Sequence, residues 1–311
     1  MTEYGLDFPR ANPLSPAEGV IKQVPDDFYV EEVLDEALSG SGEHVCLWIE
    51  KVGQNTGFVA KKLAEFAGVR EMDVGYSGLK DRWAQTRQWF SIYLGKRDEP
   101  EWENLDLEGV TVLRVIRHLR KLRRGIHGGN RFRIVVRDLK QADNLEAALQ
   151  KVSEQGFPNY FGMQRFGREG SNLDRAEQLA RKEIKASRSQ KSFYLSAARS
   201  YLFNLNLAQA VTSGQWIESD ATGPLYGDEN SDVMPLSASE KTVLEGYPDF
   251  ADLIHQNRMR LERRPYRVLP ESMSWSVDGD MLVADFFLPS GVFATSLLAE
   301  VLNVHVASGE K

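Results

Sequence analysis

Cysteine is almost missing from this sequence: Cys46 is the only one in 311 residues. No internal disulfide can staple the chain, and Cys46, set in the apolar run His44–Ile49, reads as a small buried hydrophobe. Histidine is sparse as well. His44, His118, His127, His255 and His305 are scattered, with no His-x-x-x-His and no Cys pair, so metal-ligand spacing is absent and no metal site is expected. No apolar run approaches the length of a membrane span, and Met1-Thr-Glu-Tyr-Gly5 shows no basic stretch leading into an apolar one; a cytoplasmic, membrane-free setting is expected. There is no excess of positive charge either. A formal net charge of −7 and a pI near 5.4 exclude nucleic-acid binding by bulk charge, although a local basic stripe can still supply phosphate contacts on an acidic body. Internal repeats and low-complexity tracts are lacking. What remains, at 42% hydrophobic and 27% charged residues, is the composition of a folded chain long enough for two domains.

Along the chain, Met1–Glu18 carries Pro9, Pro13 and Pro16 and reads as an extended lead-in. Gly19–Val33 alternates apolar and polar residues on both sides of a Pro25-Asp-Asp27 turn, giving two short strands with Phe28 just past the turn. His44–Glu50 is a third strand, and Asn55-Thr56 opens a helix with a capping residue. Val74–Leu94 reads as strand, loop, strand. Val110–Ile116 is another strand, and it leads into Arg114, Arg117, His118, Arg120, Lys121, Arg123 and Arg124, closed by the turn Gly125–Asn130. On an acidic protein, a basic run this dense beside a glycine-rich turn favours a phosphate-contacting strip over a merely solvated face. A strand resumes at Phe132–Arg137 and a helix spans Asn144–Gln155. From Gly156 to Gly167 aromatic residues interleave with Arg, Gln and Asn. Helices then dominate, at Leu173–Leu179, Ser192–Val211 and within Ser237–Arg260, with loops across Gly214–Pro235. Met273–Val277 and Met281–Leu288, joined through Asp278-Gly279, read as a hairpin. A turn at Pro289–Phe293 and a terminal helix at Ala294–Leu302 end the pattern. The expected fold is mixed α/β, a sheet domain built from both ends with a helix-rich insertion.

The central loop carries the chemistry. Asp81 follows the turn-former Gly78 and stands between Lys80 and Arg82. A carboxylate on a tight basic loop is held in one direction, and nearby positive charge favours its ionised form. That suits a nucleophile or electrostatic stabiliser better than a proton donor. Taken alone, a Lys-Asp dipeptide is far more often an exposed ion pair of little energetic weight.

The wider pattern Gly78-x-Lys80-Asp81-x-x-Ala84-x-Thr86-x-Gln88 resembles the signature of the TruD family of tRNA pseudouridine synthases, in which the Asp is catalytic. The resemblance extends over Lys22 with Pro25–Phe28, Gly42-Glu-His44, Lys51-x-x-x-Asn55-Thr56, Lys121-Leu-Arg123 and Gly129-Asn130-x-Phe132. It continues through Pro158–Gly167, Ala198–Asn204 and Phe287–Ser296, in the family's order and nearly end to end. It implies a pseudouridine-synthase catalytic domain over 1–156 and 268–311, with a mixed, largely antiparallel sheet. A smaller inserted α/β TRUD domain would span 157–267, with an RNA cleft between the two.

The implied activity is isomerisation of a tRNA uridine, position 13 in the family's known cases, by a monomeric enzyme that needs no cofactor. Asp81 would be the catalytic carboxylate. Phe28, Asn130, Phe132, Phe293 and Lys22 would bind the flipped base, and Lys80, Arg120, Lys121, Arg123 and Arg124 the RNA. Consecutive strand residues point to opposite faces, so Lys22 rather than Lys80 is expected to pair with Asp81. Two departures stand out: Ala299 precedes Glu300 where the family usually has Arg, and 212–257 is short. Two other readings are a catalytically silent RNA-binding protein of the same fold and a hydrolase pairing Asp81 with Asp26 or Asp27.

Overall fold

A computed structural model describes residues 4–229 and 231–307. In chain order the elements are β1 (Ala17–Ile21), β2 (Phe28–Leu34), β3 (His44–Val52), α1 (Thr56–Phe66), β4 (Val74–Tyr76), β5 (Gln85–Tyr93), β6 (Val110–His118) and β7 (His127–Lys140). There follow α2 (Leu145–Gln155), β8 (Phe157–Pro158), α3 (Ser171–Ala180), α4 (Arg188–Ser213), β9 (Thr222–Leu225), α5 (Ala238–Glu245), α6 (Pro248–Gln256), β10 (Glu262–Pro265) and β11 (Arg267–Val268). The chain closes with β12 (Glu271–Asp278), β13 (Met281–Pro289), α7 (Ala294–Val301) and β14 (Leu302–Val306).

These elements form two compact units. The sheet unit holds Pro16–Asp143, Pro270–Gly291 and the chain from Leu302 onward. Its strands run β12-β13-β7-β2-β5-β3-β6, with β4 beside β5, and with β1 between β7 and β14. The β2–β5 and β1–β14 pairs are parallel and the others antiparallel, so the sheet is mixed and largely antiparallel, as expected. Its long strand β7 serves two partners in succession on one side: Ile134 and the residues before it face β2, and Val136 and those after it face β1. The chain between β1 and β2, which contains Lys22, therefore turns where β7 changes partner. Asp27 locks that turn by accepting from the Val24 amide at 3.1 Å and pairing with Arg137 at 2.8 Å.

Helix α1 starts where Asn55 accepts the Gly57 amide at 2.8 Å. Its buried residues Thr56, Val59, Ala60, Leu63 and Ala64 follow the helical period. The apolar ones, Val59, Ala60, Leu63 and Ala64, pack on Val45, Leu47, Ile49, Phe90 and Ile92 of β3 and β5. Cys46 is fully buried and free. In the hairpin β12–β13, Asp278 pairs with Met281, leaving Gly279 and Asp280 as the two-residue loop.

The helical unit holds the lead-in up to Ser15, Asn144–Leu269 and Val292–Val301. Its axis is α4, whose buried Ala198, Tyr201, Leu202 and Phe203 meet residues of α3 and α6. The lead-in, α2 and α7 belong to this unit because of specific contacts. Helix α2 packs on α7, and buried Glu300 accepts the Ala11 and Asn12 amides, both at 2.9 Å. Burial raises the Glu300 pKa, and those two amides oppose the shift. Two short strands, β9 and β10, pair within this unit; β9 lies in a stretch expected to be loops.

Candidate active site

Topology explains the meeting of distant residues. Because β2 and β5 are parallel neighbours, the segments that enter them lie at the same end of the sheet. Antiparallel β3 ends there too, with Val52 opposite Gln85. Three stretches thus converge: the turn after Lys22, the loop carrying Asp81, and the end of β3 carrying Lys51.

Asp81 presents a side chain 55% exposed, and Lys22, whose side chain is 10% exposed, places Nζ 3.1 Å from Asp81 Oδ2. Lys22 is held in the left-handed backbone region at φ 58°, and its carbonyl accepts from Trp83 Nε1 at 2.9 Å. Its ammonium also lies 4.8 Å from the centre of the Phe28 ring, a cation–π distance. Of the two lysines considered for Asp81, Lys22 is therefore the one in contact. Lys80 instead pairs with Glu32 at 3.1 Å in an almost fully buried bridge, and Glu32 also accepts the Trp89 amide at 3.2 Å.

The loop's main chain is fixed from beneath. Lys51 Nζ donates to the Asp81 carbonyl at 2.9 Å and to the Gln54 carbonyl at 2.8 Å. Thr56 Oγ1 accepts the Lys80 amide at 3.0 Å and donates to Gln88 Oε1, and Gln88 Nε2 donates to the Gly78 carbonyl. Arg82 Nε reaches the Gly53 carbonyl at 3.1 Å.

Strand register places the aromatic and polar candidates on one face. Phe28 lies opposite Ile134, Val30 opposite Phe132 and Glu32 opposite Asn130, while Thr86 stands beside Val30 and opposite Lys51. Phe28 is buried and meets Phe132 edge-on at 6.3 Å; Phe132 stacks on Phe286 at 5.4 Å. Asn130 Oδ1 and Thr86 Oγ1 are buried without a hydrogen-bond partner among the described residues. Buried acceptors in that state are uncommon and call for an explanation.

The basic loop is bonded to the same region. The Gly125 amide donates to the Ser77 carbonyl at 2.8 Å, and the Leu122 amide to Ser91 Oγ at 2.9 Å. Lys121 Nζ donates to the Met72 carbonyl, and Arg124 lies 5.8 Å from the Tyr76 ring centre. Arg123 is exposed, and Arg120 makes a solvent-exposed pair with Glu36 at 3.6 Å. A cavity of about 740 Å³ adjoins this loop, lined by Leu34, His44, His118, Leu119 and Arg120 among others. Asp81 is not part of its wall. Burial lowers the pKa of His127, and Lys80 lowers it further.

Phe293 belongs to the helical unit. There it meets Phe161 at 6.1 Å, and Arg165 lies 5.8 Å from its ring. Arg264 lies 4.2 Å from the Phe161 ring, and burial, aided by Arg165, lowers its pKa to about 10.

Lys51, Glu32, Trp83 and Thr56 complete the site without having been assigned roles from sequence. Glu32 and Lys51 did carry a signal: each occupies the inward phase of an alternating strand, where an apolar residue belongs. Asp27 is committed to Arg137, and Asp26 is exposed; neither contact supports a carboxylate pair with Asp81. Among the described residues no group of three or more His, Cys, Asp or Glu could hold a metal. No described helix is long and apolar enough to cross a membrane.

The chain as a whole has counterparts among known proteins. The family model described as tRNA pseudouridine synthase D (TruD) matches residues 11–186. A protein of Cellvibrio japonicus named tRNA pseudouridine synthase D is 43% identical, over 97% of this chain and 95% of its own. One of the same name from Stutzerimonas stutzeri is 40% identical, over 98% of each. The crystal structure of a Methanosarcina mazei protein carrying the TruD name superposes with a TM-score of 0.69 at 19% identity, over 96% of each chain, which speaks for the fold alone. Fold and relatives together define a pseudouridine synthase. The chain belongs to the TruD family.

Proposed function

We propose that this chain is an isomerase that converts a uridine of tRNA, at position 13, to pseudouridine, with Asp81 as the catalytic carboxylate. The reaction breaks the C1′–N1 bond, turns the uracil and joins C1′ to C5; the hydrogen leaves C5 and N1 gains one. Substrate and product are isomers, so no redox partner or group donor is consumed. A stacked uridine must first leave the helix for a pocket. Lys22 is the cation that aims Asp81 at the sugar–base bond, Phe28 and Phe132 are the apolar shelf, and the unpartnered Oδ1 of Asn130 accepts a uracil N–H. Phe293 joins this proposal through the Phe287–Ser296 motif. Lys80, paired with Glu32, supports the loop, and the exposed residues of the basic strip meet phosphates. We assign 157–267 as the family's inserted TRUD domain, and the compact helical unit adds the lead-in, α2 and α7 to it.

The observation that carries this reading is the placement of one ammonium, Lys22 Nζ, 3.1 Å from Asp81 and 4.8 Å from the Phe28 ring centre. It links the only carboxylate of the signature loop to an aromatic surface on the same face. Mapping pseudouridine in cellular tRNA with and without this protein tests it. Loss of one modification at a single position is expected; an unchanged map rejects the proposal.

A further inference from the structure

Lys51 ends the inward row of β3 after Val45, Leu47 and Ile49, and its side chain is completely removed from solvent. Strand alternation would place an apolar residue there, and burying an ammonium is costly. The two hydrogen-bond partners recorded for it are both carbonyls, those of Asp81 and Gln54. One belongs to the catalytic loop and the other to the connection between β3 and α1, so a single charge clamps two loops.

We infer that Lys51 is a positioning residue for the Asp81 reaction: its charged amine holds the Asp81 main chain in register with Lys22 and Phe28, and loss of that charge sets the alkaline limit of turnover. Charge-assisted bonds are about twice as strong as neutral ones, so deprotonation loosens the clamp while leaving the fold in place. Burial pulls the Lys51 pKa down to about 8; Asp81 opposes that shift, and Lys80 adds to it. The charged groups that act on it are Asp81 and Lys80 of the catalytic loop, which pair in turn with Lys22 and Glu32; Arg82 of the same loop bonds the Gly53 carbonyl. Thr86 on β5 and Val110 on β6, its partners across the strands, carry no charge. Below the shifted pKa the amine is charged and the clamp intact; above it the clamp weakens, at a pH where an ordinary lysine would still be charged.

The inference rests on the proposed function. Its test measures kcat and KM for tRNA from about pH 6 to pH 10 in the wild type, Lys51→Met, Lys51→Arg and Asp81→Asn. Wild-type kcat should fall above about pH 8. Lys51→Met should lose about tenfold to a hundredfold in kcat at neutral pH, with KM little changed and the fall above pH 8 abolished. Lys51→Arg, charged throughout, should retain more activity at high pH than at neutral pH relative to wild type. Lys51→Met with wild-type kcat, or with the wild-type alkaline fall intact, overturns the inference. If Lys51→Met does not fold, an NMR titration of the wild-type Lys51 Cε decides: coincidence with the kcat profile supports the clamp, and a lysine still charged across the fall rejects it. An active Asp81→Asn would sink the proposed function itself, whereas an inactive one beside an indifferent Lys51 would sink only this inference.

Discussion

Two acidic residues of the site pair with lysines, and their burial separates their roles. Glu32 and Lys80 are almost fully enclosed, so Glu32→Ala would strand a buried ammonium and should cost about 3–5 kcal/mol of stability. Urea denaturation checks this; a loss under about 1 kcal/mol would mean Lys80 has another partner. Asp81 is more than half exposed, so Asp81→Asn should cost under about 1 kcal/mol, and its activity can be read as chemistry. The aromatic shelf makes a different demand. A released uracil must stay bound yet turn, and stacking allows rotation that several fixed hydrogen bonds would prevent. Phe28→Ala should lose about 1–3 kcal/mol of stacking, seen mainly in kcat, and Phe28→Leu should recover part of it. Equal losses in kcat for Leu and Ala would show that the ring itself, rather than apolar volume, is required. Asp81 was marked in the sequence by its loop of turn formers and charges, and Lys22 and Phe28 by the family resemblance; the structure brings the three side chains together. Lys51 and Glu32 were not given roles: their significance lies in the sheet phase they interrupt, and that phase acquires an inside only once the strands are paired.

The loop between β6 and β7 is the element on which RNA affinity should depend. It is anchored through Gly125 to Ser77, four residues before Asp81, while Arg120 and Arg123 remain exposed. Neutralising Arg120, Lys121, Arg123 and Arg124 together should weaken tRNA binding and flatten its salt dependence. Each lost phosphate contact should lower the log–log slope by about 0.7 to 0.9. Lys121 is tied to the Met72 carbonyl, so it should contribute less than Arg123; an unchanged slope would mean the strip faces away from RNA. Most elements were legible from alternation and capping, as with α1 at Asn55 and the hairpin around Gly279. Strand β14 was missed because five residues after a helix carry little periodic signal, and its strand character comes from parallel pairing with β1. The short β9 was missed for the same reason: it exists only against β10, more than thirty residues later.

The chain as a whole is acidic, with a net charge of −7, so its selectivity for RNA must come from where its cations sit. The discontinuous sheet was readable from strand-rich ends around a helical middle. What sequence could not reveal was that β2 and β5 are parallel neighbours, the one topological fact that brings Lys22 to Asp81 across 59 positions. Forming pseudouridine removes the hydrogen at C5, so tRNA labelled with tritium at C5 of uridine reports the reaction directly. Purified wild-type protein should release one equivalent of tritium per tRNA, and Asp81→Asn should bind the same tRNA with release below detection. Release by Asp81→Asn within tenfold of wild type would place the chemistry on another residue and contradict the role given to Asp81.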